Sequence, residues 1–541
     1  MHLRSNNIKK LETETFDVLI LGGGINGAVS AASLAAKGVK VALIDKGDFA
    51  GLTSSNSSNL AWGGIKYLES FDFLLVNKLC QSRNRLMHSF PTTVKEIRFL
   101  VSIEKGFRFP PFFMFLGTIL YWLMGRLQTS APRLLSARKL KAEEAVVNTD
   151  NAAGGIEYSD CYLHDNDARF VFNFIRGCMN YGGIAANYVA STGANRKDDY
   201  WLTDARDTIS NRCFTIRSKV LINACGPWVD QINKNIGQQT AHHHIFSKGV
   251  HLIVDRVSDS NKVLTFFAND GRLFFAVPMG PKTCVGTTDI QVESAEVSVT
   301  EEDRQFVLAN INQLLSLDRP LTDDDIIAER CGVRPLVQEG KEGIADWVKL
   351  SRKHVVEVNS ADKIISIFGG KLTDCINVGD EIAEYFRELD VGVNLKASDI
   401  EWRWYGEASD AEKAEFMHQA ELMNLDAMTD PTSSEPLTVR LWRRYGVKAL
   451  ELLDMIRENP ESAELLIENA EYLRCEIELA AKREMITKLE DFLRRRSKIE
   501  QVVRKEDIIN APGLRDASKI FFAEESETKL REYIDSVQGV Q

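Results

Sequence analysis

Residues Phe16 to Asp45 constrain this chain more than any other stretch. Phe16-Asp17-Val18-Leu19-Ile20-Leu21 is apolar apart from one acid and runs straight into Gly22-Gly23-Gly24, the pattern of a short buried strand ending in a tight turn. Ala28, Val29, Ala31, Ala32, Leu34 and Ala35 then fit a closely packed helix that stops at Gly38, and Val39 to Ile44 reads as a second strand closing on Asp45. Strand, helix, strand and terminal acid in this order describe a dinucleotide-binding unit. Gly22 allows the turn, Gly24 lets the backbone approach a pyrophosphate, and Gly27 lets helix and strand pack closely, while the helix N-terminus offers N–H groups to phosphate. Asp45 is placed to accept hydrogen bonds from a ribose hydroxyl. The unit alone does not choose between FAD and NAD.

The following segment does choose. Thr53-Ser54-Ser55-Asn56-Ser57-Ser58-Asn59 leads into Trp62-Gly63-Gly64-Ile65-Lys66-Tyr67-Leu68-Glu69. A flexible Ser/Asn linker fits poorly, because an apolar block follows at once. The run closely resembles the FAD-dependent glycerol-3-phosphate dehydrogenases, in which a Thr-Ser-Ser-x-Ser-Ser run lines the flavin and a Gly-Gly-x-Arg-Tyr-Leu-Glu run follows. The resemblance implies FAD as cofactor, with Thr53, Ser54, Ser55, Ser57, Ser58, Gly63 and Gly64 beside it.

Size and charge bound the remainder. A chain of 541 residues holds two or three domains. A net charge of −11 argues against a nucleic-acid partner, which usually needs a basic face. Nine cysteines without a C-x-x-C pair suit free thiols in a reducing compartment rather than disulfides or zinc. Met1 to Thr15 is charged and lacks the apolar core of a secretory signal.

Phe71 to Val101 reads as mostly helical, with a break at Pro91. Phe107 to Arg126 is apolar and aromatic with arginines at both flanks and further basic residues at Arg133, Arg138, Lys139 and Lys141. Its uncharged core is shorter than the roughly 20 residues that span a bilayer. It suits either a buried core helix or a segment lying in the membrane interface. The resemblance favours the membrane, because bacterial members of the family are peripheral membrane enzymes that pass electrons to quinone.

Further motifs follow in the family's order. Gly154-Gly155-Ile156-Glu157-Tyr158-Ser159-Asp160-Cys161 looks like a family strand, and Gly183 to Leu221 reads as a β-meander. Asn223-Ala224-Cys225-Gly226-Pro227-Trp228 resembles the motif near the adenine side of FAD, which places Gly226 there. From His242 to Val358 strand-like runs suggest an antiparallel lobe, interrupted by a helix at Glu302 to Leu317 and carrying the family's Gly286-Thr287-Thr288-Asp289 and Gly332-Val333-Arg334-Pro335. The triple His242-His243-His244 is not expected to bind metal, since adjacent histidines point apart and no carboxylate completes a set. Phe368-Gly369-Gly370-Lys371-Leu372-Thr373-Asp374 returns to the cofactor. In the family this run sets a helix N-terminus against the flavin's pyrimidine end, implying roles for Gly370, Leu372 and Thr373. From about Leu395 the pattern is charged and helical, with expected helices at Leu437 to Ile456 and Ala463 to Arg496.

The fold class expected is α/β: a Rossmann-type, glutathione-reductase-like FAD-binding domain (16–85, 150–240 and 360–392), an antiparallel β-sheet substrate lobe (86–149 and 241–359) and an all-α C-terminal domain (395–541). Oxidising a secondary alcohol needs a base for the hydroxyl proton and cations for a substrate phosphate. His251 is the candidate base, Arg334 and Arg352 are the candidate phosphate arginines, and Lys66, Tyr67 and Lys371 are further substrate candidates at motif positions. The resemblance implies oxidation of sn-glycerol 3-phosphate, with membrane quinone and the membrane surface as partners on the cytoplasmic side and a homodimer left open. Trp62 stands where the family usually has His, Asn59 for Lys, Lys66 for Arg and Asp374 for Thr. Lysine lacks arginine's planar fork, and an added carboxylate near the flavin would oppose a second anion. Drift to another polyol phosphate or hydroxy acid, an oxidase using oxygen, and a flavin-binding sensor without turnover therefore stay open.

Overall fold

The computed structural model describes residues 2–268, 271–340, 353–396, 409–431, 433 and 435–539. Two large sheets organise the first 390 or so residues. In the eight-stranded sheet, Thr15–Leu21 lies between Val41–Ile44 and Cys213–Asn223, parallel to both. Ile364–Gly369 continues the parallel set beyond Cys213–Asn223, and Ile184–Ala186 beyond Val41–Ile44. Val18, Leu19 and Ile20 have no exposed surface, as continuous apolar runs in a parallel sheet require. The Ile25–Ala36 helix covers one face, and its small residues Ala28, Ala31 and Ala35 allow close packing. Val189–Lys197, Tyr200–Asp207 and Cys213–Asn223 form the expected meander.

The ten-stranded sheet is built around His242–Asp255, which pairs antiparallel with Ala328–Glu339 along its length and with Lys282–Gly286. Two sequence expectations fail here. Val94–Glu104 is a strand, not the end of a helix: the preceding helix is Phe73–Ser89. Its continuous apolar run Phe99–Val101 is buried along with Ser102 and Ile103, as a strand buried on both faces requires. It pairs antiparallel with Ala152–Leu163, so this stretch, expected in the cofactor domain (150–240), belongs to the second sheet. Sheet pairing across about fifty residues leaves no local signal that would separate the two assignments.

The C-terminal part is helical from Asp410–Leu422 to Ser526–Gln538. The expected long helix at 463–496 is instead Arg474–Arg483 followed by a single π-turn at Asp491–Arg496, and Leu465 bridges to Leu473 before it. This domain is tied to the cofactor domain by buried ion pairs. Asp48, in the loop after the second strand, lies 2.7 Å from Arg495 and 2.8 Å from Arg496, and Arg169 lies 2.7 Å from Glu484. Burial pushes the Asp48 carboxyl up, but the two guanidiniums outweigh it and hold it below the usual range.

Candidate functional site

The dinucleotide unit has the backbone its glycines suggest. Gly22 sits at φ +98°, and a Cβ there would lie 2.6 Å from the Ala224 carbonyl oxygen. A Cβ on Gly27 would lie 1.9 Å from the Gly22 carbonyl oxygen, so no larger residue lets the helix approach the strand. At Gly24 the nearest atom to such a Cβ is the Ser54 Oγ, at 3.3 Å. That Oγ accepts a hydrogen bond from the Ile25 N–H, so the serine loop is docked on the helix N-terminus. Asp45 accepts from the Gly23 N–H at 2.6 Å and the Gly47 N–H at 2.9 Å. Burial nonetheless pushes its carboxyl up to about 6.

The serine loop is shaped from beneath. Arg330 has no exposed surface and donates to the Ser55 carbonyl and to Asp167, each at 2.9 Å. Asp167 also accepts from the Ser57 N–H. The Ser55 hydroxyl is buried and donates to the Leu52 carbonyl, and the Ser57 Oγ accepts from the Asn59 N–H. Thr53 donates to the Val333 carbonyl, fastening the loop to the second sheet.

A cavity of about 310 Å³ opens between the two sheets. Thr53, Ser54, Ser57, Ser58, Lys66, His251, Arg334, Gly370, Lys371, Leu372 and Thr373 all reach its wall. Ser55, Gly63, Gly64, Tyr67 and Gly226 do not. Gly63 is buried, its N–H bonded to Asp160, and Gly64 adopts φ +77°. Tyr67 stands behind the wall, with the Lys371 ammonium 4.3 Å from its ring centroid. Gly226 adopts φ +55° at the turn after Cys213–Asn223. Arg352 lies outside the described residues.

Two further groups, overlooked in the sequence, join the wall: Arg272 and Asp289. Arg272 Nη1 donates to the Asp289 carbonyl at 2.6 Å. Arg334 Nη1 lies 3.2 Å from the Asp289 carboxylate, and its Nη2 donates to Thr287 at 3.0 Å. One aspartate thus holds two guanidiniums at one end of the cavity. The motif carrying Asp289 was visible in the sequence; Arg272 had no signal, since it sits in the turn before Leu273–Met279 and only the fold of that hairpin brings it there.

His251 is nine-tenths or more buried, and its Nδ1 has no hydrogen-bond partner among the described residues. Burial, then Arg330 and Arg334, push its pKa down to about 3, so the imidazole is neutral. The concern over Asp374 is answered by its partners. It lies 3.0 Å from His354 Nδ1 and 3.7 Å from Lys78 Nζ, and it accepts from Ser82 and Asn377. Its charge is neutralised within the protein and does not stand against an anionic ring.

These residues fit a flavin dinucleotide. The glycine junction leaves a cradle that a Cβ would fill, and Asp45 waits at the second strand's end. The serine loop and the Gly370–Thr373 part of the turn both line the cavity. A family model described as FAD dependent oxidoreductase matches residues 17–359. The chain therefore belongs to the FAD-dependent oxidoreductases, and FAD is its cofactor. A second model, the C-terminal domain of alpha-glycerophosphate oxidase, matches residues 410–512. The aerobic glycerol-3-phosphate dehydrogenase of Bacillus subtilis is 31% identical over 391 residues, covering 71% of this chain and 69% of that protein. That of Staphylococcus aureus is 28% identical over 506 residues, covering 90% and 88%. Within the class, this chain is a member of the aerobic glycerol-3-phosphate dehydrogenase family. The fold agrees with the glycerol-3-phosphate dehydrogenase of Bacillus halodurans complexed with FAD, at TM-score 0.75 and 23% identity over 99% of this chain and 96% of that one.

Proposed function

We propose that the protein oxidises sn-glycerol 3-phosphate to dihydroxyacetone phosphate and passes the electrons to membrane quinone. The observation that carries this reading is the convergence of Arg272 and Arg334 on Asp289 in the same cavity as a neutral, buried His251. Two anchored guanidiniums present several N–H donors to a phosphate dianion at fixed spacing. His251 is deprotonated, but a pKa of about 3 makes it a weak base; a bound phosphate dianion offsets the arginine charge that lowers it, and the base role requires that rise. Lys66 and Lys371 add positive charge to the cavity wall. FAD, when bound, supplies the hydride acceptor and the route by which electrons leave.

The peripheral membrane part of the reading rests on the Pro111–Met124 helix. Its Phe112 is 61% exposed and Phe113 57%, with Leu116, Leu120 and Leu123 also exposed. Its other face is anchored, since Tyr121 is buried and donates to Asp160 at 2.6 Å. Among the described residues no helix is long and apolar enough to cross a membrane. An apolar face of this kind suits insertion to headgroup depth on the cytoplasmic surface.

The deciding experiment is anaerobic addition of sn-glycerol 3-phosphate to the yellow protein in mild detergent. Bleaching of the oxidised flavin band is the expected result. A flavin that stays oxidised with this substrate but bleaches with another polyol phosphate would replace the substrate. Peroxide formed stoichiometrically in air would replace quinone by oxygen.

A further inference from the structure

The Gly369–Thr373 turn faces the cavity with Gly369 at φ +60° and Gly370 at φ +103°. Such a backbone is held in place by what surrounds it. On one side the Gly369 N–H donates to His244 Nε2 at 3.0 Å, and its carbonyl accepts from Asn26 Nδ2 at 2.9 Å. On the other side stands His354, opposite Gly369 in the strand pair, with its Cβ 3.3 Å from where a Gly370 Cβ would be. The His354 side chain is 4% exposed; its Nε2 hydrogen-bonds Glu381 at 2.6 Å, and its Nδ1, which makes no hydrogen bond among the described residues, lies 3.0 Å from the Asp374 carboxylate as an ion pair. It thereby clamps its strand to both the end of the turn and the Cys375–Glu388 helix that follows.

We propose that His354 is a positioning residue of the flavin site: bridging Asp374 and Glu381, it locks the Gly369–Thr373 turn against FAD. The inference rests on the cofactor and not on the substrate reading. Asp374, the residue that departs from the family motif, is then half of the clamp. The groups facing the imidazole are Asp374 and Glu381. Behind them lie Lys78, Ser82 and Asn377 around Asp374, and Tyr385, which donates to Glu381 at 3.3 Å. Lys353, the preceding residue, pairs with Asp72 at 3.9 Å. Burial alone would lower the His354 pKa, but the two carboxylates outweigh it and hold it at about 9. Only the charged imidazolium pairs with both carboxylates, so the bridge persists through neutral pH and is lost as pH rises through about 9.

The test measures how fast FAD leaves the diluted holoprotein, read as the rise in free-flavin fluorescence, from about pH 6 to about pH 10. For the unaltered protein the rate is expected to be flat to about pH 8 and to rise about tenfold above the titration of His354. His354→Gln should release FAD about tenfold faster at neutral pH and lack the alkaline rise, because the charged bridge between the two carboxylates is gone. Asp374→Thr keeps the imidazole and removes one carboxylate, so its alkaline rise should move to lower pH. This second variant decides the matter if His354→Gln fails to fold. Release rates and alkaline profiles matching the unaltered protein would overturn the proposal. So would variants that differ only in melting temperature.

Discussion

Arg330 and Asp167 are paired at 2.9 Å with no exposed side-chain surface on either, directly beneath the serine loop that faces the cofactor. Removing one partner leaves a buried charge uncompensated, which costs about 3–5 kcal/mol. Asp167→Ala should therefore lower stability by that amount in urea unfolding and release the Ser55–Ser57 backbone, with FAD lost from the purified protein. The double replacement Arg330→Met with Asp167→Leu should regain much of the stability without restoring the loop.

Arg272 and Arg334 share Asp289 as an anchor. Lysine at either position keeps the charge but loses the fork. Arg272→Lys and Arg334→Lys should each raise the KM for the phosphorylated alcohol by about tenfold to a hundredfold, with kcat less affected. Steady-state kinetics with a dye acceptor decides this, and unchanged flavin absorbance excludes a cofactor defect.

His251 carries a pKa pushed down to about 3 by burial and its arginine neighbours. Its neutral form is thus almost fully populated above about pH 5. Once corrected for the substrate phosphate's own ionisation near about pH 6, kcat/KM should show no acidic limb between about pH 5 and pH 8. The linkage has the opposite sign for stability. The unfolded chain binds a proton at the ordinary histidine pKa that the folded site refuses. Stability should therefore fall below about pH 6.5, by up to about 1.4 kcal/mol per pH unit for this group. His251→Asn should lower kcat by about a hundredfold or more and remove that share of the acid sensitivity.

The Pro111–Met124 helix exposes Phe113 and Leu116 on the face away from Tyr121. Phe113→Glu with Leu116→Glu should weaken sedimentation with anionic liposomes by at least about tenfold. Activity with a soluble dye acceptor should remain, because the altered side chains do not line the cavity. Quinone reduction in vesicles should fall with binding.

Local pattern carried far in this chain. Gly22, Gly24, Gly27 and Asp45 announce their own backbone requirements, because a turn, a close approach and a helix start each demand particular residues within a few positions. The parallel strands were legible as continuous apolar runs, and so was the all-α C-terminal region. The sequence reads Val94–Glu104 as helical because a short apolar run following a helix carries no period of its own, and only its pairing with Ala152–Leu163 shows the strand.

By itself, then, the sequence determined the cofactor unit, the order of the motifs and the family, because these depend on residues adjacent in the chain. The tertiary structure decided which charges meet. It set Arg272 beside Arg334 on Asp289, Arg330 under a loop some 270 residues away, and Asp374 against His354 and Lys78 rather than toward the ring. Charges act through distance and burial, and neither is written along the chain: folding two sheets against each other brings distant residues within a few ångströms and removes the water that would screen them.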